Sequence, residues 1–240
     1  IEESPTLERV SMWIRMESAS REEVNIMSIW DRIEHCGVIA VLVIDDAARA
    51  RPLAEALLAG GVDAMELTLR TDAAIDALKI IRGEVPDMLA GIGTILTPEQ
   101  VEQVVEADGA FGVAPGCNPR VVRQAQSLGL PFAPGVATPS DIEAVLELGC
   151  RQLKFFPAEP AGGMAYLKSM MAPYAHLGLK YVPLGGLNAQ NMVDYLSHPA
   201  VSAVGGSWIA KRDLIQNADW DAITERAAEA RRIIDDLRKQ

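Results

Sequence analysis

Cysteine and histidine, which supply disulfides and many transition-metal ligands, are scarce in this sequence. There are three of each among 240 residues, and they form no CxxC pair and no cluster with metal-ligand spacing. No secretory signal and no apolar run long enough to cross a bilayer is visible. We therefore expect a cytoplasmic protein that has no membrane contact and no clustered metal site.

Basic residues are outnumbered by acidic ones. The 22 Lys and Arg residues face 33 Asp and Glu residues, which gives a formal net charge of −11. This balance argues against sequence-independent binding to nucleic acid or to an anionic membrane surface, although it allows a local basic pocket for a small anion. The hydrophobic fraction of 49% suffices for a sizeable core, and the length fits one large α/β domain.

From Gly37 onward, apolar runs rich in β-branched residues alternate with helical segments rich in Ala and Leu. Eight such strand-then-helix units follow one another with short connections. Near-continuous apolar strands are typical of a parallel sheet covered on both faces. The prediction is an α/β fold, a single (β/α)₈ TIM barrel over residues 27–240. A doubly wound open sheet is the alternative, but no GxGxxG fingerprint follows the first strand.

Residues 1–26 are predicted to form a helical segment in addition to the barrel. Ser20 and Glu23 have the spacing of a capping box, which predicts a helix from there to about Cys36. Because Met27 would make a natural beginning for the barrel, the segment before it is either a natural extension or an artificial addition.

Charged side chains inside two predicted strands are candidates for chemistry. In "AMELTLR" the alternation of a strand places Glu66, Thr68 and Arg70 on one face. In "QLKFF", Lys154 lies in the middle of an apolar strand. Side chains near the carboxyl ends of barrel strands face the active site. So ionic an interior is unusual for an inert core, although a structural buried ion pair is the alternative.

The three charged residue types suggest a reaction. Desolvation and the like charge of Arg70 favour a neutral amine at Lys154, and a neutral amine can attack a ketone to form a Schiff base. Glu66 can move the protons, and the planar fork of Arg70 suits a carboxylate. The set therefore indicates class I aldol chemistry on a 2-oxo acid.

Paired glycines follow the last two predicted strands, in "LGGLN" and "GGSW". The ends of strands seven and eight of barrels often bind phosphate through backbone N–H groups, and glycine lets the backbone approach closely. A tight turn explains one such pair equally well. Two pairs at neighbouring strand ends, with Ser207 adjacent, favour a phosphate site.

Together these motifs resemble those of the 2-dehydro-3-deoxy-6-phosphogluconate aldolases, which often also carry 4-hydroxy-2-oxoglutarate aldolase activity. The resemblance covers about residues 28–239 and is carried by "GGVDAMELTLRT", "GIGTILTPEQ", "APGCNP", "PGVATPSDI", "LKFFPAE", the glycine pair after strand seven and "GGSW". It implies a homotrimeric barrel that needs no metal or cofactor and acts on pyruvate and a phosphorylated 2-keto-3-deoxy sugar acid.

By motif position, the resemblance makes Lys154 the Schiff-base lysine and Glu66 the general acid/base. The other residues that it implies are Arg70 and Thr94 for the pyruvyl carboxylate, Pro115 and Phe156 for the pocket wall, and Gly185, Gly186, Gly206 and Ser207 for the phosphate. One position departs from the pattern. Leu184 stands where the family commonly has threonine, so a hydroxyl is missing at the phosphate end.

The expected reaction is reversible cleavage of 2-dehydro-3-deoxy-6-phosphogluconate to pyruvate and glyceraldehyde 3-phosphate. Alternatives within the class are the 6-phosphogalactonate epimer and unphosphorylated 4-hydroxy-2-oxoglutarate. A different class is a non-catalytic trimeric scaffold whose N-terminal helix, with Trp13 and neighbouring methionines, binds a partner. The intact set of Lys154, Glu66 and Arg70 argues against lost catalysis.

Overall fold

The computed structural model describes residues 27–239. The predicted N-terminal helical segment, residues 1–26, lies outside the described residues, so its structure stays a prediction. Within the described part, the predicted alternation of strands and helices is confirmed. The protein has an α/β fold built on parallel strands.

Short strands and helices follow one another along residues 27–239. The strands are β1 (Val38–Leu42), β2 (Ala64–Thr68), β3 (Leu89–Gly93), β4 (Gly112–Val113), β5 (Phe132–Ala133), β6 (Gly135–Val136), β7 (Gln152–Phe155), β8 (Lys180–Pro183) and β9 (Val204–Gly206). The α-helices are α1 (Ile29–Cys36), α2 (Ala50–Ala59), α3 (Ala73–Glu84), α4 (Pro98–Glu106), α5 (Pro119–Ser127), α6 (Pro139–Glu147), α7 (Gly163–Met171), α8 (Met192–Leu196), α9 (Arg212–Gln216) and α10 (Trp220–Arg238). Two 3₁₀ helices cover Ala47–Arg49 and Ala172–Leu177.

The strands pair in parallel to form a curled sheet. Six strands pair in the order β5-β4-β3-β2-β1-β9, and three in the order β6-β7-β8. An isolated bridge between Leu184 and Gly205 links the end of β8 to β9. The fifth strand was predicted as one run, but Pro134 divides it into β5 and β6. Proline has no N–H to donate to a sheet ladder, which accounts for the interruption.

Side-chain caps mark the starts of five of these α-helices. Thr97 and Thr138 cap α4 and α6 as predicted, and each helix has proline in its first turn. The predicted start of the helix that ends at Cys36 was wrong. Ser28 is extended and forms a capping box with Asp31, so α1 begins at Ile29. A continuous helix from Ser20 cannot pass through an extended residue.

The helices cover one face of the sheet. The buried apolar side chains of the helices and of that face form the hydrophobic core. On β2, Met65 and Leu67 are fully buried on the face opposite the charged residues. The long α10 packs against α2, where Gly60 leaves room for Ala227. The sequence interpretation passed directly from the last strand to this helix and missed the short α9. None of the helices in residues 27–239 is long and apolar enough to cross a membrane.

Candidate active site

A cavity of about 540 Å³ opens at the carboxyl ends of the strands. Backbone turns after β8 and β9 form one side, and side chains from β2 and β7 form its floor. All ten residues singled out from the sequence line it: Glu66, Arg70, Thr94, Pro115, Lys154, Phe156, Gly185, Gly186, Gly206 and Ser207. The structure therefore gathers in one place residues that are spread over more than half of the chain.

Lys154 and Glu66 form an ion pair on the floor of this cavity. Lys154 Nζ lies 3.1 Å from Glu66 Oε1 and 3.4 Å from Oε2, and the two residues are 6% and 1% exposed. The Phe156 ring lies beside the ammonium, with its centroid 5.6 Å from Nζ. A buried pair contributes little net stability because both charges lose their hydration. At this separation, however, a proton can pass directly between the amine and the carboxylate.

Gly93 makes room for the carboxylate of Glu66. The register pairs Thr68 of β2 with Gly93 of β3, and a Cβ built on Gly93 would lie only 1.7 Å from Glu66 Oε1. Any side chain at this position would displace the carboxylate. The motif "GIGT" alone does not predict this role for Gly93, because the side chain that fills the space comes from another strand.

Thr94 and Arg70 follow the ends of β3 and β2. Thr94 has φ of +64°, a left-handed conformation that costs a residue with a Cβ roughly 1–2 kcal/mol. Such conformations persist where surrounding structure holds them, and they cluster at functional sites. Arg70 is exposed at the cavity wall. Thr68, which also lines the cavity, donates from Oγ1 to the Leu42 carbonyl and so fixes β2 against β1.

The turn after β8 exposes backbone without side chains to the cavity, at Gly185 and Gly186. Gly185 and Gly186 have φ of +100° and +87°, values that favour glycine. The Glu159 N–H donates to the Gly185 carbonyl over 2.9 Å, and Tyr195 donates from its hydroxyl to the Glu159 carboxylate. Burial, followed by the hydrogen bond to Glu159, raises the pKa of Tyr195. Glu159 and Tyr195 therefore support this turn from behind, a role that local sequence patterns do not reveal.

Leu184 precedes the glycine pair and is buried. Its side chain fills the space above Gly205, where a built Cβ would lie 2.6 Å from Leu184 Cγ. Leu184 also lines the cavity. The structure thus places an apolar surface at the position that the sequence marked as departing from the family pattern.

Two basic residues missed by the sequence interpretation lie at the rim, Lys211 and Arg212. Arg212 Nε donates to Asp45 Oδ2 over 2.8 Å. Hydrogen bonds from Arg212 and then Gln216 lower the pKa of Asp45 to about 2. Over residues 27–239, no three side chains of the His, Cys, Asp and Glu types are grouped as metal ligands would be.

Comparisons with known proteins identify the family. The family model described as KDPG and KHG aldolase matches residues 29–226. A 2-dehydro-3-deoxy-phosphogluconate aldolase of Haemophilus influenzae is 40% identical over 195 residues, which are 81% of this chain and 91% of the relative. The chain therefore belongs to the KDPG and KHG aldolase family, as the motifs predicted.

Solved structures agree with this assignment. A KDPG aldolase from Legionella pneumophila superposes with a TM-score of 0.80 at 39% identity, covering 85% of this chain and 98% of that one. That crystal structure holds pyruvate captured at low pH as a covalent carbinolamine intermediate. The Zymomonas mobilis aldolase, solved with 3-phosphoglycerate, has a TM-score of 0.77 at 39% identity and covers 85% of this chain and 95% of that one.

Proposed function

We propose that this protein is a class I aldolase, an aldehyde-lyase that cleaves 2-dehydro-3-deoxy-6-phosphogluconate to pyruvate and glyceraldehyde 3-phosphate. The observation that carries the proposal is the buried pair of Lys154 and Glu66, 3.1 Å apart on the floor of the cavity. Membership of the family and the pyruvate adduct of the Legionella relative support the same chemistry.

The first half of the reaction forms an imine on Lys154. One ammonium proton passes to Glu66, and the neutral Nζ attacks the C2 carbonyl carbon of the substrate. Two of the three ammonium protons end on the former carbonyl oxygen, one of them by way of Glu66. That oxygen leaves as water, and a protonated imine remains.

The second half breaks the carbon chain. The Glu66 carboxylate takes the proton of the C4 hydroxyl, and the C3–C4 bond breaks. Its electron pair moves into the imine to give an enamine, and C4 becomes the aldehyde carbon of glyceraldehyde 3-phosphate. Glu66 returns the proton to C3, and water then hydrolyses the imine to release pyruvate and Lys154.

The remaining cavity residues are proposed to bind the substrate. Arg70 and Thr94 hold the pyruvyl carboxylate, and Pro115 and Phe156 form the wall beside the imine. The phosphate is bound at the glycine turns, by backbone N–H groups of Gly185, Gly186, Gly206 and Ser207. The left-handed turn after β8 supports this assignment, because bare backbone there can approach an anion closely.

We also propose that β5 and β6 act as one strand, so that the sheet closes into an eight-stranded (β/α)₈ barrel over residues 27–240. The bridge between Leu184 and Gly205 supports closure between β8 and β9. The barrel is proposed to act in the cytoplasm as a homotrimer, with residues 1–26 as an extension of the barrel. Light scattering should then give three times the 25.9 kDa of the chain.

A second candidate substrate is unphosphorylated 4-hydroxy-2-oxoglutarate. The observation that favours it is the buried Leu184, which offers no hydrogen bond at the phosphate end. The same imine chemistry serves both substrates, since they share the 2-oxo acid. Comparison of kcat/KM for the two compounds decides between them.

Trapping with borohydride tests the mechanism directly. Pyruvate and borohydride together should modify Lys154 irreversibly, because Lys154 is the buried lysine of residues 27–239. Peptide mapping should find no label on Lys79, Lys168, Lys180, Lys211 or Lys239. Lys154→Met is the matched control and should take up no label. Label elsewhere, or none on the unmodified protein, would overturn the mechanism.

A further inference from the structure

The charges that line the cavity are mostly positive, although the chain as a whole is acidic. The lining includes four cations and one anion: Arg70, Lys154, Lys211, Arg212 and Glu66. The chain itself has a net charge of −11. A cleft that concentrates one sign of charge raises the local concentration of ligands of the opposite sign. The cavity therefore favours an anionic ligand.

Two of these four cations are already balanced. Lys154 is paired with Glu66, and Arg212 is paired with Asp45 in a two-point contact. Asp45 accepts a further hydrogen bond from Gln216. The charge of Arg212 is therefore balanced by the carboxylate of Asp45. Arg70 and Lys211 make no ion pair with any acidic residue in the 27–239 range.

The two unbalanced cations lie at separate places on the rim. Arg70 follows β2 and Lys211 follows β9, and β1 lies between these two strands. Two inter-strand spacings amount to roughly 10 Å. A six-carbon acid that carries a phosphate at its far end can span a comparable distance. Its two anionic groups match the number of free positive charges, and their separation is comparable to the spacing of the two strand ends that carry these cations.

We propose that Lys211 binds the phosphate of the substrate, a phosphate monoester dianion, together with the Gly185–Gly186 turn. This inference rests on the proposed aldolase function and extends it to a residue outside the family motifs quoted above. The ammonium supplies a charged contact at the end of the cavity where Leu184 supplies none. Lys211 is exposed and lines the cavity, so its ammonium is accessible to a phosphate bound there.

The test compares phosphorylated and unphosphorylated substrates in matched variants. Lys211→Met keeps the length of the side chain and removes its charge. Lys168→Met is the control, because Lys168 is also exposed and does not line this cavity. The ratio of kcat/KM for 2-dehydro-3-deoxy-6-phosphogluconate over that for 4-hydroxy-2-oxoglutarate should fall about tenfold in Lys211→Met, chiefly through KM.

Further readouts separate a charge contact from a structural effect. Lys211→Arg should recover most of the lost ratio, and Lys168→Met should leave it unchanged. Inorganic phosphate should inhibit Lys211→Met more weakly than the unmodified enzyme, and added salt should raise the KM of the phosphorylated substrate less. Lys211→Gln is a second variant, with circular dichroism to verify that both fold.

These experiments distinguish a failure of the role of Lys211 from a failure of the proposed aldolase function. An unchanged substrate ratio in folded Lys211→Met and Lys211→Gln, or an equal loss for both substrates, would overturn the role of Lys211. If pyruvate is still trapped on Lys154 in that case, the aldolase function stands. If the unmodified protein forms no imine with pyruvate, the proposed function itself fails.

Discussion

The carboxylate of Glu66 fills the space that the absent side chain of Gly93 leaves free. The carboxylate of Glu66 on β2 lies where a side chain on residue 93 of β3 would begin, with Oε1 only 1.7 Å from the position of a built Cβ. The glycine thus determines where the carboxylate lies, and through it the contact to Lys154 Nζ. This relationship leads to a substitution that moves Glu66, the proposed general acid/base, without altering it chemically.

Gly93→Ala should lower kcat by about 100-fold, because a misplacement of about 1 Å in a catalytic group can cost that much. The added methyl group pushes Glu66 away from Lys154, while the lysine stays in place. Steady-state kinetics measure the loss, and borohydride trapping with pyruvate should still label Lys154. Gly83→Ala is the control, since a Cβ there meets nothing within 4 Å. Activity close to normal in Gly93→Ala would show that the carboxylate tolerates displacement.

Glu66→Gln should lower kcat by roughly 10²–10⁴-fold, the usual contribution of a general acid/base. Glutamine keeps the shape and the hydrogen bond to Lys154 but cannot take up a proton. The imine should still form, more slowly, and mass spectrometry after borohydride reduction follows it. A variant with nearly normal turnover would mean that water or another group moves the protons.

A chelator should leave the activity unchanged. The proposed mechanism stabilises the carbanion through the imine on Lys154 and needs no divalent ion. The measurement is the initial rate before and after dialysis against EDTA, with the dialysed enzyme assayed again after addition of Mg²⁺ or Zn²⁺. A large loss that added metal restores would contradict the Schiff-base mechanism.

Leu184→Thr should lower the KM for the phosphorylated substrate by about tenfold or more, because one hydrogen bond to a charged group contributes about 1.5–3 kcal/mol. The KM for 4-hydroxy-2-oxoglutarate should change much less, since that substrate has no phosphate. Leu179→Thr is the matched control at the other end of the same strand, where the leucine is equally buried. If both variants shift the two substrates alike, the added hydroxyl does not reach the phosphate.

Much of the fold and of the site could be predicted because the relevant signals are local. The alternation of side chains along β2 placed Glu66 and Arg70 on the cavity side and Met65 on the helix side. Threonine followed by proline predicted the starts of α4 and α6. The family motifs then named ten residues, and the cavity gathers all of them, although their individual roles stay predictions.

The remaining features depend on neighbours that are distant in the sequence. The space at Gly93 is defined by Glu66, and the partner of Arg212 is Asp45, 167 residues earlier. The spacing of Ser20 and Glu23 predicted the start of the helix that ends at Cys36, but Ser28 and Asp31 form the capping box of α1. Pro134 was predicted as part of a strand, because a single proline leaves the hydrophobic pattern on both sides intact.

The ion pair on the cavity floor joins residues that are 88 positions apart in the chain. During synthesis, Glu66 therefore leaves the ribosome long before Lys154. Until β7 is in place, closing β1 to β3 around Glu66 would bury a carboxylate with no cation beside it, which is costly. We therefore expect the first strands to stay loosely assembled until the second half arrives, so that the appearance of activity marks the completion of the whole fold.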